Sequence, residues 1–204
     1  MHPILDRLAI KLAHTGRLAH DADAFLRGHG RPHTAEHSRA VADQARALAI
    51  RFELDASRAE VGGWLHDISA PIPTPQRLQA SLALGLEVLP EERVAPMLLH
   101  QKLSVVVARE LFDVTDASVV SAIGCHTTLK ADATPLDMVV FLADKIAWDQ
   151  PGRPPYLDPL LVALDRSLAT GCLVYLQHLW DQRETLAAVH PWMIAAYREL
   201  SGAA

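Results

Sequence analysis

Polar residues with metal-binding or phosphate-binding side chains interrupt the apolar segments of this chain, and they constrain its fold more than any other feature. An ionised carboxylate such as Asp144, inside MVVFLADKI, costs several kcal/mol to bury unless it is paired or coordinated. Imidazole and carboxylate groups together bind divalent transition metals, which promote hydrolysis of phosphate esters and anhydrides. We therefore expect these segments to meet around one buried metal site. The residues concerned are His37, His66, Asp67, His100, His126, Thr127 and Asp144.

Apolar residues recur at intervals of three and four through most of the chain, which predicts an all-α fold. Val41, Ala45 and Leu48 show this spacing in the segment that begins near Thr34. The composition agrees, because 50% of the residues are hydrophobic but only 5% are aromatic, and Ala and Leu favour helices. Helices are predicted within 3–28 and over 34–52, 57–67 (from a capping box at Ser57), 75–87, 100–112, 117–125, 134–147, 158–186 and a short stretch after His190.

Size, charge and cysteine usage restrict the class of protein. A chain of 204 residues fits one domain with a small appendage, so we expect a helical extension at residues 1–30 and the main domain at 31–204. The net charge of −5 argues against a nucleic acid polymer as partner. The sequence has no long apolar run and no signal-peptide pattern at its start, which argues against a membrane protein. Cys125 and Cys172 form no CxxC pair and fit a reducing compartment, the cytoplasm.

Several of the polar residues have simpler interpretations. His66 or His100 could be a core histidine that only hydrogen-bonds a backbone carbonyl. His20-Asp21 is a second His-Asp pair, but polar neighbours favour a solvated surface there. His33 falls in a Gly/Pro-rich break, where it is either an exposed loop residue or a neighbour of the site. Lys145 follows Asp144 directly, and its i+1 position predicts that it points elsewhere on the helix.

Four blocks of the sequence carry a family resemblance. They are HSRAVADQARALAIRFELDASRAEVGGWLHDIS, HQKLSVVVARELF, IGCHTTL and LDMVVFLADKI, and they preserve the order H…HD…H…HT…D. This set resembles the HD-domain superfamily of metal-dependent phosphohydrolases, and its details are most similar to the YqeK-type branch, the bacterial symmetrical bis(5′-nucleosyl)-tetraphosphatases. The resemblance covers about residues 31–180 and implies an HD-domain helical bundle.

The resemblance also implies a metal and a reaction. A divalent transition metal, with iron first and Mn, Co, Ni or Zn as alternatives, would serve the hydrolysis of a small nucleotide, with diadenosine tetraphosphate cut at its centre into two ADP. The metal ligands that the resemblance implies are His37, His66, Asp67 and Asp144. The residues expected to act in catalysis are Asp67, His100 and His126, and those expected to contact the substrate are His100, His126, Thr127, Gln150, Lys130 and Arg153.

The sequence departs from this family pattern where phosphate would be held. The family has an arginine three residues before its first histidine, and this chain has Thr34; its ADxIEPxR stretch is ADKIAWDQ here, with Gln150 in place of the arginine. Neither side chain offers the bidentate cationic fork of a guanidinium. Arg31, Lys130 or Arg153 from neighbouring loops would have to compensate.

Several alternatives stay open at this point. The chain could be a nucleotidase or phosphodiesterase acting on mononucleotides or small cyclic nucleotides. It could instead be a nucleotide-binding regulator with little turnover, or its histidines could form a structural cluster without metal. The sequence does not decide between one and two metal ions, or between a monomer and a homodimer.

Overall fold

The computed structural model describes residues 2–202, and this part of the chain is built from helices without a β-strand. The predicted all-α fold is confirmed. The helices are α1 (Pro3–Ala9), α2 (Leu18–Gly28), α3 (Pro32–Arg51), α4 (Ala56–Leu65), α5 (Thr74–Ala83), α6 (Pro90–Val94), α7 (His100–Leu111), α8 (Ala117–Cys125), α9 (Pro135–Ile146), α10 (Leu157–Ala163), α11 (Leu168–Asp181) and α12 (Pro191–Ser201). A short 3₁₀ helix at Pro96–Leu99 runs directly into α7. Within residues 2–202 no helix is both long and apolar enough to cross a membrane.

The centre of the bundle is the packing of α3 on α4, with α8 and α9 beside them. Gly63 of α4 makes this contact possible, because a Cβ atom built there would lie 2.5 Å from the Cα of Ala42 in α3. The N-terminal helices join the same core through Leu5, Leu8, Phe25 and Leu26. A domain boundary at residue 30 stays a prediction.

Two helix starts differ from the sequence prediction. α3 begins at Pro32, not Thr34, because proline is favoured in the first turn of a helix. His33 therefore lies in the helix and not in the preceding break. α4 is capped by Asp55, whose carboxylate accepts hydrogen bonds from the backbone N–H groups of Ser57 and Arg58. The predicted cap at Ser57 is wrong, since a carboxylate two residues earlier satisfies those donors first.

The predicted long helix over 158–186 is also wrong, because it is two helices, α10 and α11. Ser167 stands between them in an extended conformation and accepts a hydrogen bond from the backbone N–H of Thr170, while the Thr170 hydroxyl donates to the carbonyl of Ala163. These polar contacts stop one helix and cap the next. In addition, α5 ends at Ala83, and α6 and the 3₁₀ helix were not predicted.

The His20-Asp21 pair is only half solvated. His20 is half exposed, as expected, but the side chain of Asp21 is 9% exposed. The Asp21 carboxylate accepts hydrogen bonds from the backbone and the hydroxyl of Thr15. Those hydrogen bonds lower the pKa of Asp21. Asp21 therefore ties the turn before α2 to the helix, a structural role that the sequence prediction missed.

Candidate metal centre

The predicted ligands come together where the ends of several helices meet. His66 and His126 directly follow the last residues of α4 and α8, and His100 is the first residue of α7. Neighbouring imidazole rings lie edge to face, with centroids 5.2 Å apart for His37 and His66, 4.9 Å for His66 and His126 and 4.9 Å for His100 and His126. The C-terminal end of a helix carries partial negative charge, so the ends of α4 and α8 favour a cation between them.

Three overlapping sets of side chains have ligand atoms within 4.8 Å of one another. His66, Asp67 and His126 each belong to two of the sets and together link all three. The sets are His37 with His66 and Asp67; His66 with His126 and Asp144; and Asp67 with His100 and His126. The four predicted metal ligands and the two histidines His100 and His126 thus lie in one cluster of six residues.

Three of the histidines are held in the same tautomer by the backbone. Each Nδ1 atom lies against the carbonyl oxygen three residues earlier, at 2.7 Å for His66, 2.5 Å for His100 and 2.8 Å for His126. Because a carbonyl only accepts, Nδ1 must carry the proton, and in a neutral ring Nε2 keeps its lone pair. Metal-binding histidines are oriented in this way by hydrogen bonds to their second nitrogen.

The Nε2 atoms of these three rings point toward one another and toward carboxylates, and a cation fits them. Those of His100 and His126 lie 2.9 Å apart, and burial lowers the pKa of both rings, so both are neutral near neutral pH. Two facing lone pairs repel unless a positive charge lies between or beside them. The buried Nε2 of His66 has no hydrogen-bond partner and lies 3.6 Å from Asp144 and 3.8 Å from Asp67. This donor set of imidazoles and carboxylates fits a divalent transition metal.

Asp144 is held on both sides. His37 Nε2 lies 3.0 Å from one carboxylate oxygen, and Lys145 Nζ lies 2.5 Å from the other. Burial alone would raise the pKa of Asp144, but Lys145 and then His37 outweigh it and hold this pKa well below its usual range. The prediction that Lys145 points away from Asp144 is wrong. Its flexible four-carbon stem lets the ammonium turn back, where it also donates to the His126 carbonyl.

We predict that Lys145→Met destabilises the metal-free protein by about 3 kcal/mol, because the substitution leaves the largely buried Asp144 carboxylate with one cationic partner fewer. Added divalent metal should reduce the difference in unfolding free energy between Lys145→Met and the wild type, because a bound cation supplies the missing positive charge and binds only the folded state. Chemical denaturation with and without metal measures both effects. The control variant is Lys130→Met, which loses contacts to Ser121 and Asp137. Its change in unfolding free energy should be the same with and without metal. An equal Lys145→Met effect with and without metal would contradict the prediction.

Two polar side chains that the sequence did not indicate hydrogen-bond to the backbone of residues in or beside the cluster. Ser69, two residues after Asp67, donates its hydroxyl to the His100 carbonyl. The Gln101 side-chain oxygen accepts the backbone N–H of Thr127 at 3.3 Å. The Thr127 hydroxyl in turn lies 2.9 Å from His100 Nε2. Thr127 therefore reaches the cluster, as predicted.

The other predicted substrate contacts lie elsewhere. Lys130 bonds to Ser121 at 2.6 Å, next to Asp137, because these polar groups stand beside it on α8 and α9. Arg153 pairs with Asp158, five residues later in the first turn of α10, and Gln150 is exposed. The exposed side chain of His33 faces Asp149 at 3.5 Å. None of the contacts found for Lys130 or Arg153 within residues 2–202 involves the histidine cluster, so their substrate roles stay predictions without structural support.

Cavities of different character lie at the cluster and beside it. One, of about 360 Å³, includes Asp67 in its wall together with Arg31, Thr34 and Arg77, and another of about 360 Å³ includes His37. A cavity of about 240 Å³ is mostly apolar and includes Thr127, the neighbour of His126, with Met97, Tyr175, Leu179 and Met193. A charged cavity at Asp67 and an apolar cavity at Thr127 suit a ligand that has both phosphate and aromatic parts.

Comparison with known proteins identifies the family. The family model of the HD domain matches residues 34–149, a range that contains all six clustered residues. The chain belongs to the HD domain family. The predicted family is thereby confirmed.

Individual relatives agree with this assignment. An uncharacterized protein in the pepC 5′ region of Lactococcus lactis subsp. cremoris is 43% identical over 158 residues, which is 78% of this chain and 80% of that protein. A probable nicotinate-nucleotide adenylyltransferase/Ap4A hydrolase of Mycoplasma genitalium is 34% identical over 54% of this HD-domain chain but only 31% of its own length. A symmetrical bis(5′-nucleosyl)-tetraphosphatase of Staphylococcus aureus is 29% identical over 57% of this chain and 58% of its own.

A solved structure has the same fold. It is the predicted HD superfamily hydrolase involved in NAD metabolism from Clostridium acetobutylicum, with a TM-score of 0.81 and 23% sequence identity. The match covers 94% of this chain and 98% of that one. The likeness therefore extends beyond the residues matched by the HD domain model.

Proposed function

We propose that this HD-domain protein is a metal-dependent phosphohydrolase that cleaves dinucleoside tetraphosphates symmetrically, with diadenosine tetraphosphate as its main substrate. The observation that carries the proposal is the convergence of the Nε2 atoms of His66, His100 and His126, the first of them without a hydrogen-bond partner, with the carboxylates of Asp67 and Asp144. Relatives named as Ap4A hydrolase and as symmetrical tetraphosphatase support the choice of substrate.

In this proposal His37, His66, Asp67 and Asp144 hold the cation, and His100 and His126 face the phosphates or a second ion. A divalent cation bound there would neutralise charge on phosphate oxygens and make water more acidic. His100 and His126 are neutral with Nδ1–H committed to the backbone. Each can therefore accept a proton or a cation at Nε2, a role that these contacts favour over protonation of the leaving group.

The reaction itself breaks one bond and forms one. A water oxygen bonds to one of the two central phosphorus atoms, and the bridging oxygen between them leaves with the other half. The water oxygen becomes a terminal oxygen of one product, the bridging oxygen becomes a terminal oxygen of the other, and the protons of the water go to the leaving oxygen or to solvent, so two ADP molecules result. The apolar cavity beside Thr127 is the proposed site for one adenine, because an aromatic base gains from burial against apolar side chains.

The test is hydrolysis of diadenosine tetraphosphate by protein loaded anaerobically with Fe²⁺, with Mn²⁺, Co²⁺, Ni²⁺ and Zn²⁺ in parallel. We expect ADP as the only product by anion-exchange chromatography, and no product from chelator-treated protein. Bound metal is measured on the same samples by mass spectrometry, which also decides between one and two ions per chain.

The same assay distinguishes the alternatives. AMP plus ATP would contradict symmetrical cleavage while keeping a metal-dependent hydrolase. Hydrolysis of mononucleotides or cyclic nucleotides alone would favour a nucleotidase or phosphodiesterase. Tight nucleotide binding to metal-loaded protein without any turnover would contradict the enzyme and favour a regulator.

A further inference from the structure

Two arginines share the charged cavity beside Asp67, and one of them was not singled out by the sequence. Arg31 precedes the first residue of α3, and Arg77 lies in α5, on a different part of the cavity wall. Thr34, which stands where the family has an arginine, lines the same cavity one turn after Arg31. The cavity has a volume of about 360 Å³, which is within the range of small-ligand sites.

Neither arginine forms an ion pair with a carboxylate in the described part of the chain. The Nε atom of Arg31 is buried and has no hydrogen-bond partner, and residues 2–202 provide no ion pair for its guanidinium. Arg77 donates from Nε to the Ile72 carbonyl at 3.3 Å and from Nη1 to the Met97 carbonyl at 3.0 Å, again without an ion pair in the described chain. Surface arginines of this protein, by contrast, do form ion pairs with carboxylates, as Arg51 does with Asp165 at 2.8 Å.

The two guanidiniums also influence each other. Burial lowers the pKa of Arg77; Asp67 opposes this change, and the positive charge of Arg31 adds to it. Both side chains nevertheless stay charged, because a guanidinium does not lose its proton in proteins. Two unpaired cations directed at one cavity repel each other, and an anion with several oxygens between them would relieve that repulsion.

We propose that Arg31 and Arg77 together hold the polyphosphate of the substrate, in place of the arginine that the family carries at the position of Thr34. This inference rests on the proposed function, since it names the part of the same site that holds the phosphates. A planar guanidinium binds phosphate oxygens through two parallel hydrogen bonds. The adjacent Asp67 places the bound phosphates next to the metal centre. Arg153, which pairs with Asp158, has no part in this clamp.

The test measures ADP binding to metal-loaded protein by isothermal titration calorimetry. Arg31→Gln and Arg77→Gln should each raise the Kd for ADP by about 10- to 100-fold, as expected for the loss of hydrogen bonds to a charged group. The KM for diadenosine tetraphosphate should rise more than kcat falls. Arg39→Gln is the control, because Arg39 is exposed on α3 with only a distant partner, Asp43 at 4.0 Å, and its Kd should equal that of the wild type.

Arg77 also ties down two backbone carbonyls, so its conservative variant separates the two roles. Arg77→Lys keeps the charge and should recover part of the ADP affinity that Arg77→Gln loses. The melting temperatures of both variants show whether the loss of the two carbonyl contacts also destabilises the fold. If Arg77→Gln does not fold, Arg31→Gln decides the matter. Wild-type ADP affinity in Arg31→Gln, with bound metal unchanged, would overturn the proposal. ADP binding does not depend on turnover, so this result tests the arginine clamp alone. The proposed function is tested separately, because it would be contradicted if wild-type protein failed to hydrolyse diadenosine tetraphosphate.

Discussion

Asp67→Asn is expected to abolish hydrolysis of diadenosine tetraphosphate almost completely and to weaken metal binding at the same time. Asp67 belongs to two of the three sets of potential ligands, one with His37 and His66 and one with His100 and His126. Asparagine has nearly the same shape but lacks the negative charge that holds a cation. The metal contributes several kcal/mol to the transition state, so we expect kcat/KM to fall by about 1,000-fold.

Metal content and steady-state rates, measured on the same preparation, check this prediction. Asp43→Asn is a matched control, because Asp43 is an exposed aspartate of α3 with 75% of its side chain accessible. That variant should keep wild-type metal content and rate. An Asp67→Asn protein with normal metal content and more than about a tenth of the wild-type rate would show that Asp67 is not a ligand. Circular dichroism excludes loss of fold as the cause.

Gly63→Ala should strongly reduce the stability of the fold. The added Cβ would lie 2.5 Å from the Cα and 2.7 Å from the backbone N of Ala42, and a backbone cannot move aside as a flexible side chain can. Helices α3 and α4 would have to separate. We expect a loss of about 3 kcal/mol, at the upper end of the usual cost of overpacking, and a melting temperature lower by about 6–12 °C for a chain of this size.

The same change should also weaken metal binding, because α3 carries His37, and the Gly63 carbonyl accepts the Nδ1–H of His66. Two other glycines provide a graded comparison. A Cβ at Gly62 would meet the Cγ2 atom of Val140 at 2.8 Å, and one at Gly28 would meet only the Lys11 side chain at 3.4 Å. Thermal unfolding should therefore rank the alanine variants Gly63, Gly62 and Gly28 from most to least destabilised. Equal melting temperatures for Gly63→Ala and Gly28→Ala would contradict the close helix contact.

The residues of the site that could be predicted from the sequence are those whose burial follows from the spacing of apolar residues along a helix. Each of the six clustered residues lies beside apolar residues at helical spacing, so burial of that helix face carries the polar side chain inward with it. The order of the motifs then gave the family, and the structure places those six residues together. Helix starts were less predictable, because Asp55 and Ser57 both suit a cap and only the local hydrogen bonds decide between them.

The residues missed by sequence reasoning are those whose role depends on side-chain reach. Lys145 was assigned to another face of α9 by its position, but its long stem turns back to Asp144. Arg77 lies in a segment with no recognisable motif, and only the path of the chain between α4 and α5 brings it to the cavity beside Asp67. Lys130 and Arg153 were expected at the phosphates and are engaged by nearer partners.

The sequence by itself therefore determined the helical class, the family and the set of groups able to bind a metal, because periodicity and residue chemistry are local properties of the chain. Only the tertiary structure decided which charges are neutralised and which stay free. His100 and His126 are separated by 26 residues but their Nε2 atoms lie 2.9 Å apart, and Arg31 and Arg77 line one cavity together with Asp67, although neither forms an ion pair within residues 2–202. Interactions of this kind depend on distances of a few ångströms between remote segments, and those distances are set by how the helices pack.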